Sequence, residues 1–310
     1  MRKLLVVSLC AICLSGQQQT QPAQQPPPPL QSETPITLDV SRVNMLFTVS
    51  DKKGRFVTNL KKEDFEITEE KKLQQIVEFA AESDLPLRLA VLIDSSNSIR
   101  ERFRFQQEAA VEFINSVIRP EDRAIVVSFD TGPELVSDLT NDTQKLAKAV
   151  RDLRPGGGTA LYDAIYFACK EKLMLEQPMH KFRRAMIVIS DGEDTQSRYS
   201  RDQALEMAQK ADTVIYAIST NISGMQTDGD KVLRYFGGET GGLVFFPFKV
   251  QDLAQSFENI ANELRHQYSL LYRPSPPRTD GKYHLVGIHT KNRKDLVVRA
   301  RKGYYAPKLP

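Results

Sequence analysis

Between residues 86 and 265, short and almost unbroken apolar runs alternate with helical patterns, and this alternation restricts the fold more than any other feature. The run at 87–93, LRLAVLI, is broken only by Arg88, the pattern of a strand buried on both faces of a parallel sheet. A helix follows it, because Phe103, Ala110, Phe113, Ile114 and Val117 fall near helical spacing and Pro120 ends the segment. Further buried strands are predicted at 124–129, 185–189, 213–218 and 243–246. Helices are predicted at 143–153, 161–175, 201–210 and 253–264, with a short one at 232–236. Such repetition implies an α/β fold: a doubly wound, mostly parallel sheet with helices on both faces. At 41% hydrophobic residues, the chain has material for a core of that kind.

The flanks read differently. Strands are predicted at 40–49, 56–57, 65–67 and 76–79, with turn composition at Asp51-Lys52-Lys53-Gly54. After Gln267 they return at 268–272, 283–289 and 296–300. Neither flank has enough strands to stand alone. The expectation is one β-sandwich built from 36–85 and 266–305, with the 86–265 domain inserted into it. Two separate hairpins packed on the α/β domain are the alternative.

Met1-Arg2-Lys3, an eleven-residue apolar run from Leu4 to Leu14, and Ser15-Gly16 match a secretory signal at 1–16. Eleven residues span only ~16 Å as helix, too short for a bilayer core of ~30 Å. Leu9 precedes Cys10 and Ile12 precedes Cys13, so lipid anchoring is the less favoured form of export, to periplasm or exterior. Residues 17–35 are a Gln/Pro-rich linker, with Pro26 to Pro29 favouring extended polyproline II. No later apolar run is long enough to span a membrane. The net charge of +3, nearer +1 once Arg2 and Lys3 are removed, argues against a nucleic-acid binder. Of three cysteines only Cys169 lies beyond the signal, so no disulfide is expected within the exported chain.

In an open parallel sheet, ligands gather beyond the carboxyl ends of the strands. The first buried strand is followed there by Asp94-Ser95-Ser96-Asn97-Ser98, and the strand ending at Ile189 by Ser190-Asp191-Gly192-Glu193-Asp194. Between them Pro155-Gly156-Gly157-Gly158-Thr159 opens a helix. Asp94, Ser96, Ser98, Thr159 and Asp191 can therefore meet at one edge and offer hard oxygen donors. That chemistry suits Mg²⁺, which takes six oxygens near 2.1 Å. Neutral hydroxyls hold such an ion without quenching its charge, and the two carboxylates supply charge directly or through water. The glycines let the backbone approach closely.

DSSNS, GGGT and SDG in these positions resemble the metal-ion-dependent adhesion site of von Willebrand factor type A domains, over about 86–265. KEDFEI at 62–67 and RKGYYAP at 301–307 resemble the flanks of a bacterial secreted subgroup. The resemblance implies binding rather than catalysis: Mg²⁺ or Mn²⁺ at Asp94, Ser96, Ser98, Thr159 and Asp191, completed by a Glu or Asp of a protein or peptide partner. It also implies, for some relatives, movement of the last helix, here 253–264.

A Mg²⁺-dependent phosphatase with Asp94 as nucleophile is the rival of another class, but the general acid two residues on would be Ser96, which cannot do acid–base work near neutral pH. Serine-hydrolase, P-loop and zinc-protease motifs are absent from the sequence. A metal-independent scaffold in an envelope assembly is the third possibility. Asp163 reads as a first-turn acid suited to the helix dipole, and Cys169 as a core thiol. Arg183-Arg184 and Arg299 to Lys302 read as solvated strand edges. His180, His266, His284 and His289 show no metal-ligand spacing.

Overall fold

The computed structural model describes residues 42–81, 85–97, 103–221, 223–247 and 250–308. The export signal and the Gln/Pro-rich segment lie outside these residues. In the amino-terminal flank run β1 (Val43–Asp51), β2 (Phe65–Glu69), β3 (Lys72–Gln74) and β4 (Ile76–Ala80). The central region follows in the order β5 (Leu87–Asp94), α1 (Phe103–Val117), β6 (Arg123–Phe129), β7 (Pro133–Thr140), α2 (Thr143–Asp152) and α3 (Leu161–Glu171). It continues through β8 (Arg183–Ser190), α4 (Arg201–Lys210), β9 (Thr213–Ser219), α5 (Asp228–Thr240), β10 (Val244–Phe245) and α6 (Val250–Arg265). The carboxyl-terminal flank holds β11 (Tyr268–Tyr272), β12 (Tyr283–Thr290), β13 (Leu296–Ala300) and β14 (Gly303–Tyr305).

The central sheet has the order β10-β9-β8-β5-β6-β7 and is parallel except for β7, which pairs antiparallel with β6. All eight residues of β5 are buried, because both faces of the sheet are covered. Leu89, Val91 and Ile93 pack with α1, α2 and α6, while Ala90 and Leu92 pack with α3, α4 and α5. Each such fully buried Leu, Ile or Val side chain contributes ~1.5–3 kcal/mol of transfer free energy. β7 was not expected from the sequence, and its pairing places it at the sheet edge with only Ser137 buried.

Helix ends follow local sequence. Asp142 caps α2 by accepting from the Gln144 and Lys145 amides, and Ser200 forms a capping box with Gln203 at α4. Thr227 and Asp230 do the same at α5, which ends at Gly241 in the left-handed region with φ 85°. The long 161–175 helix is instead α3 to Glu171 followed by a 3₁₀ turn over Leu173–Leu175.

Strands from the two flanks interleave in a pair of four-stranded antiparallel sheets, β13-β1-β11-β4 and β14-β12-β2-β3. β1 pairs with β11 and β13, and β2 with β12, so neither flank is an independent hairpin. One core joins both sheets: Met45 and Phe47 of β1 and Tyr268 of β11 meet Phe65 and Ile67 of β2 and Ile288 of β12. The Phe47 and Phe65 rings meet edge to face at 5.1 Å.

Contacts between this sandwich and the α/β unit are polar and specific. Glu263 of α6, 1% exposed, accepts from Arg299 of β13 at 2.8 Å and from the Thr48 hydroxyl of β1 at 3.3 Å. Arg301 pairs with Asp212 and donates to the Asn44 carbonyl at 2.7 Å. Lys302 pairs with Glu239 at 2.7 Å. Although β13 is an edge strand and Lys302 is exposed, Arg299 and Arg301 are therefore not a solvated edge. Nor is Arg183-Arg184: Arg184 is 1% exposed, and its guanidinium donates to the carbonyls of Leu173 at 2.9 Å, Met179 at 2.8 Å and Glu176. Arg183 donates to the Leu85 carbonyl at 2.7 Å. Among the described residues, no helix is long and apolar enough to cross a membrane.

Candidate metal centre

β5 and β8 are parallel neighbours, so their carboxyl ends, Asp94 and Ser190, emerge at the same edge. Three loops meet there and hydrogen-bond to one another. The Gly156 amide donates to the Ser95 carbonyl at 2.6 Å, and Asn97 Nδ2 to the Gly157 carbonyl at 3.3 Å. Thr159 offers its carbonyl to the amides of Thr195 at 2.8 Å and Gln196 at 3.0 Å. Ser190 Oγ donates to Asp94 Oδ2 at 2.7 Å.

The glycines do what close approach requires. Gly157 has φ +68°, and a Cβ on it would lie 3.0 Å from Asp130; one on Gly158 would lie 2.7 Å from Gln196 Cγ. Gly192 has φ +82°, and its Cβ would sit 2.1 Å from the Gly229 carbonyl oxygen. The loop carrying Asp191 is thus pressed onto the first turn of α5.

Asp94 is 0% exposed. Burial pushes its carboxyl up to about 6, and the negative charge of Asp191 adds to the rise. Hydrogen bonds from Ser96 and Ser190 oppose it; the Ser96 amide reaches Asp94 Oδ1 at 2.9 Å. Asp191 Oδ1 accepts from the Glu193 amide at 3.1 Å. Among the described residues, no lysine or arginine is ion-paired with Asp94 or Asp191. Ser96 is buried against Asp94, and Thr159 is buried on the adjoining loop, bonded to Thr195 and Gln196 beyond Asp191. Two neighbouring carboxylates without a cation, together with hydroxyl oxygens, are a donor set that a hard divalent ion fits. The hydroxyls are needed, since among the described residues no three His, Cys, Asp or Glu side chains group as metal ligands. Ser98, the third expected hydroxyl, lies outside the described residues.

Ser190 is the site residue that sequence reasoning passed over. Its hydroxyl is buried and couples Asp94 to the Asp191 loop by also accepting the Gly192 amide at 3.0 Å. The strand-end rule pointed at the loop, but the contact depends on the β5/β8 register. Asp163 lies in the first turn of α3, as expected, and has a second role. Its Oδ1 accepts the amides of Arg198 and Tyr199, both at 2.9 Å, and so anchors the loop leading to α4. Asp194 accepts from the Tyr162 amide at 3.3 Å and the Ser197 hydroxyl at 2.6 Å, and Ser197 accepts from the Asp163 amide at 3.0 Å. These loop side chains cap α3, whose own N-cap Ala160 has no capping side chain. Cys169 is a buried core thiol, pushed up to about 12 by desolvation. Beside the centre, a groove of about 530 Å³ is walled by Pro133, Tyr166, Phe167 and Tyr199, with the Tyr166 and Tyr199 rings stacked at 3.7 Å.

Residues 89–193 match the family model of the von Willebrand factor type A domain. That match contains Asp94, Ser96, Ser98, Thr159 and Asp191. No curated protein matches the chain in sequence. Among solved structures, the von Willebrand factor type A protein of Catenulispora acidiphila superposes with a TM-score of 0.52 at 12% identity, covering 86% of this chain and 75% of that one. Proximal thread matrix protein 1 of the mussel byssus, described with a zinc-occupied MIDAS motif, gives 0.52 at 16% identity over 64% of this chain and 50% of its own. A D319A mutant of the PilB minor pilin of Streptococcus sanguinis gives 0.47 at 12% identity, over 59% of this chain and 62% of its own. The chain thus spans less than two thirds of the last two. At these identities the likeness is one of fold: a type A-like α/β unit with a mostly parallel sheet.

Proposed function

We propose that this chain is an exported binding module, not an enzyme, whose type A-like domain holds a divalent ion and through it an acidic group of a protein or peptide partner. The observation that carries this reading is the buried Asp94 carboxylate with the charge of Asp191 nearby and, among the described residues, no lysine or arginine paired to either. Ser96, Ser98 and Thr159 would supply neutral oxygens, and Asp94 and Asp191 charge, directly or through water. When bound, Mg²⁺ or Mn²⁺ supplies an electrophilic position that a partner's Glu or Asp carboxylate completes. The chain's own residues do the rest: they fix the donors in place and keep bulk water from the Asp94 carboxylate.

Burial of Asp94 supports binding over phosphatase chemistry, since both of its oxygens are engaged by Ser96 and Ser190 and Ser96 supplies no general acid. Export rests on the amino-terminal signal pattern. The division into a sandwich of 36–85 with 266–305 and an inserted domain of 86–265 is part of the same proposal, the sandwich serving as the frame on which α6 and α5 are pinned.

The test is an array of short peptides with a central Asp or Glu beside matched Asn and Gln peptides, probed with the full chain in Mn²⁺ or in chelator. Retention of acidic peptides in Mn²⁺ alone is expected. Equal retention in chelator, or of the amide peptides, would sink the metal-bridged reading.

A further inference from the structure

We propose that Ser190 is a positioning residue that sets the orientation of the Asp94 carboxylate and ties it to the loop bearing Asp191; this rests on the metal-centre reading above. A serine hydroxyl has one proton to give and two lone pairs to receive. The Gly192 amide, at 3.0 Å, occupies a lone pair of Ser190 Oγ, and the hydroxyl proton goes to Asp94 Oδ2 at 2.7 Å. The other Asp94 oxygen receives the Ser96 amide at 2.9 Å. The Ser96 hydroxyl also hydrogen-bonds to this carboxylate, so donors from two strand ends fix its plane.

The relay has a rigid base. Gly192 cannot retreat, because its Cα side abuts the Gly229 carbonyl so closely that even a Cβ would lie 2.1 Å from it. Ser190 is itself fully buried at the end of β8, paired through Ile189 to Ile93 of β5. The Asp94 carboxylate is thus hydrogen-bonded through Ser190 to the backbone of the loop that carries Asp191, whose own Oδ1 accepts the Glu193 amide. Partners of this kind, behind the ligands, typically govern metal affinity by 10–100-fold.

The experiment is a calorimetric titration of Mn²⁺ into the full chain at one fixed pH, comparing wild type, Ser190→Ala, Ser190→Thr and Asp94→Ala, with thermal midpoints recorded in chelator. Ser190→Ala is expected to bind Mn²⁺ about 10–100-fold more weakly, while Ser190→Thr, which keeps the hydroxyl, stays within about threefold of wild type. Should Ser190→Ala fail to fold, Ser190→Cys keeps the volume with only a weak donor, and the same loss is expected. Wild-type affinity in Ser190→Ala, or equal weakening in Ser190→Ala and Ser190→Thr, would overturn the proposal. A flat wild-type titration would instead bring down the metal-centre reading and this inference with it, and is recognisable because no variant is then needed to see it.

Discussion

Replacing Asp94 by Asn should make the metal-free protein more stable while abolishing its affinity for Mn²⁺. Burial raises the Asp94 carboxyl from 3.8 to about 6, and at ~1.4 kcal/mol per unit this is roughly 3 kcal/mol of cost for folding with the charge present at neutral pH. Because the folded value lies above the unfolded one, the stability associated with Asp94 is fully present below about 4 and is lost as pH rises through about 6. Asn removes the charge and still accepts the Ser96 amide. Its NH₂ must face Ser190 Oγ, whose second lone pair is available, so part of the gain is lost and about 1–2 kcal/mol remains. Urea unfolding of the full chain in chelator reads this out: Asp94→Asn should exceed wild type at pH 8 and match it near pH 4.5. In excess Mn²⁺ only wild type should gain, by the logarithm of ligand over dissociation constant. A variant less stable than wild type at pH 8 in chelator would refute the claim that burying the Asp94 charge costs more than its hydrogen bonds from Ser96 and Ser190 return.

Gly192→Ala should cost roughly 3–5 kcal/mol, from positive φ and collision with the Gly229 carbonyl, as a lowered urea midpoint. Arg299→Met should destabilise by about 3 kcal/mol or more by leaving buried Glu263 unpaired. Burial already raises the Glu263 carboxyl, so that penalty should shrink as pH falls and Glu263 protonates; a pH-independent loss would mean the pair matters only for packing. Cys169 should resist aromatic disulfide reagents in the native state and react fully in denaturant, since it is buried with its thiol pushed up to about 12. Rapid native labelling would contradict the placement of α3.

The buried strands of the α/β unit were legible because apolar runs such as 87–93 have no polar alternation, and only two-sided burial explains that. β7 escaped because Pro133–Thr140 mixes polar and apolar residues on an edge strand, and β14 because three residues carry no period. α5 was read short, as Gly237 and Gly238 oppose helix on propensity; the Thr227 to Asp230 capping box marked its true start. Arg183 and Arg184 were misread because their guanidinium partners are backbone carbonyls, distant in sequence for Arg183 and in the preceding loop for Arg184, which composition does not reveal. At the candidate metal centre, residue types and strand-end positions pointed to Asp94, Ser96, Ser98, Thr159 and Asp191, of which Ser98 lies outside the described residues. The Ser190 relay was not legible, because it exists only in the register that sets β8 beside β5.

The most direct test of the metal centre is calorimetric titration of Mg²⁺ and Mn²⁺ into the full chain beside a Ser96→Ala/Ser98→Ala double variant. A metal-bridged binding module predicts saturable uptake by wild type that vanishes in the double variant, with the circular dichroism of both unchanged. Equal binding by both, or none by wild type, would contradict it.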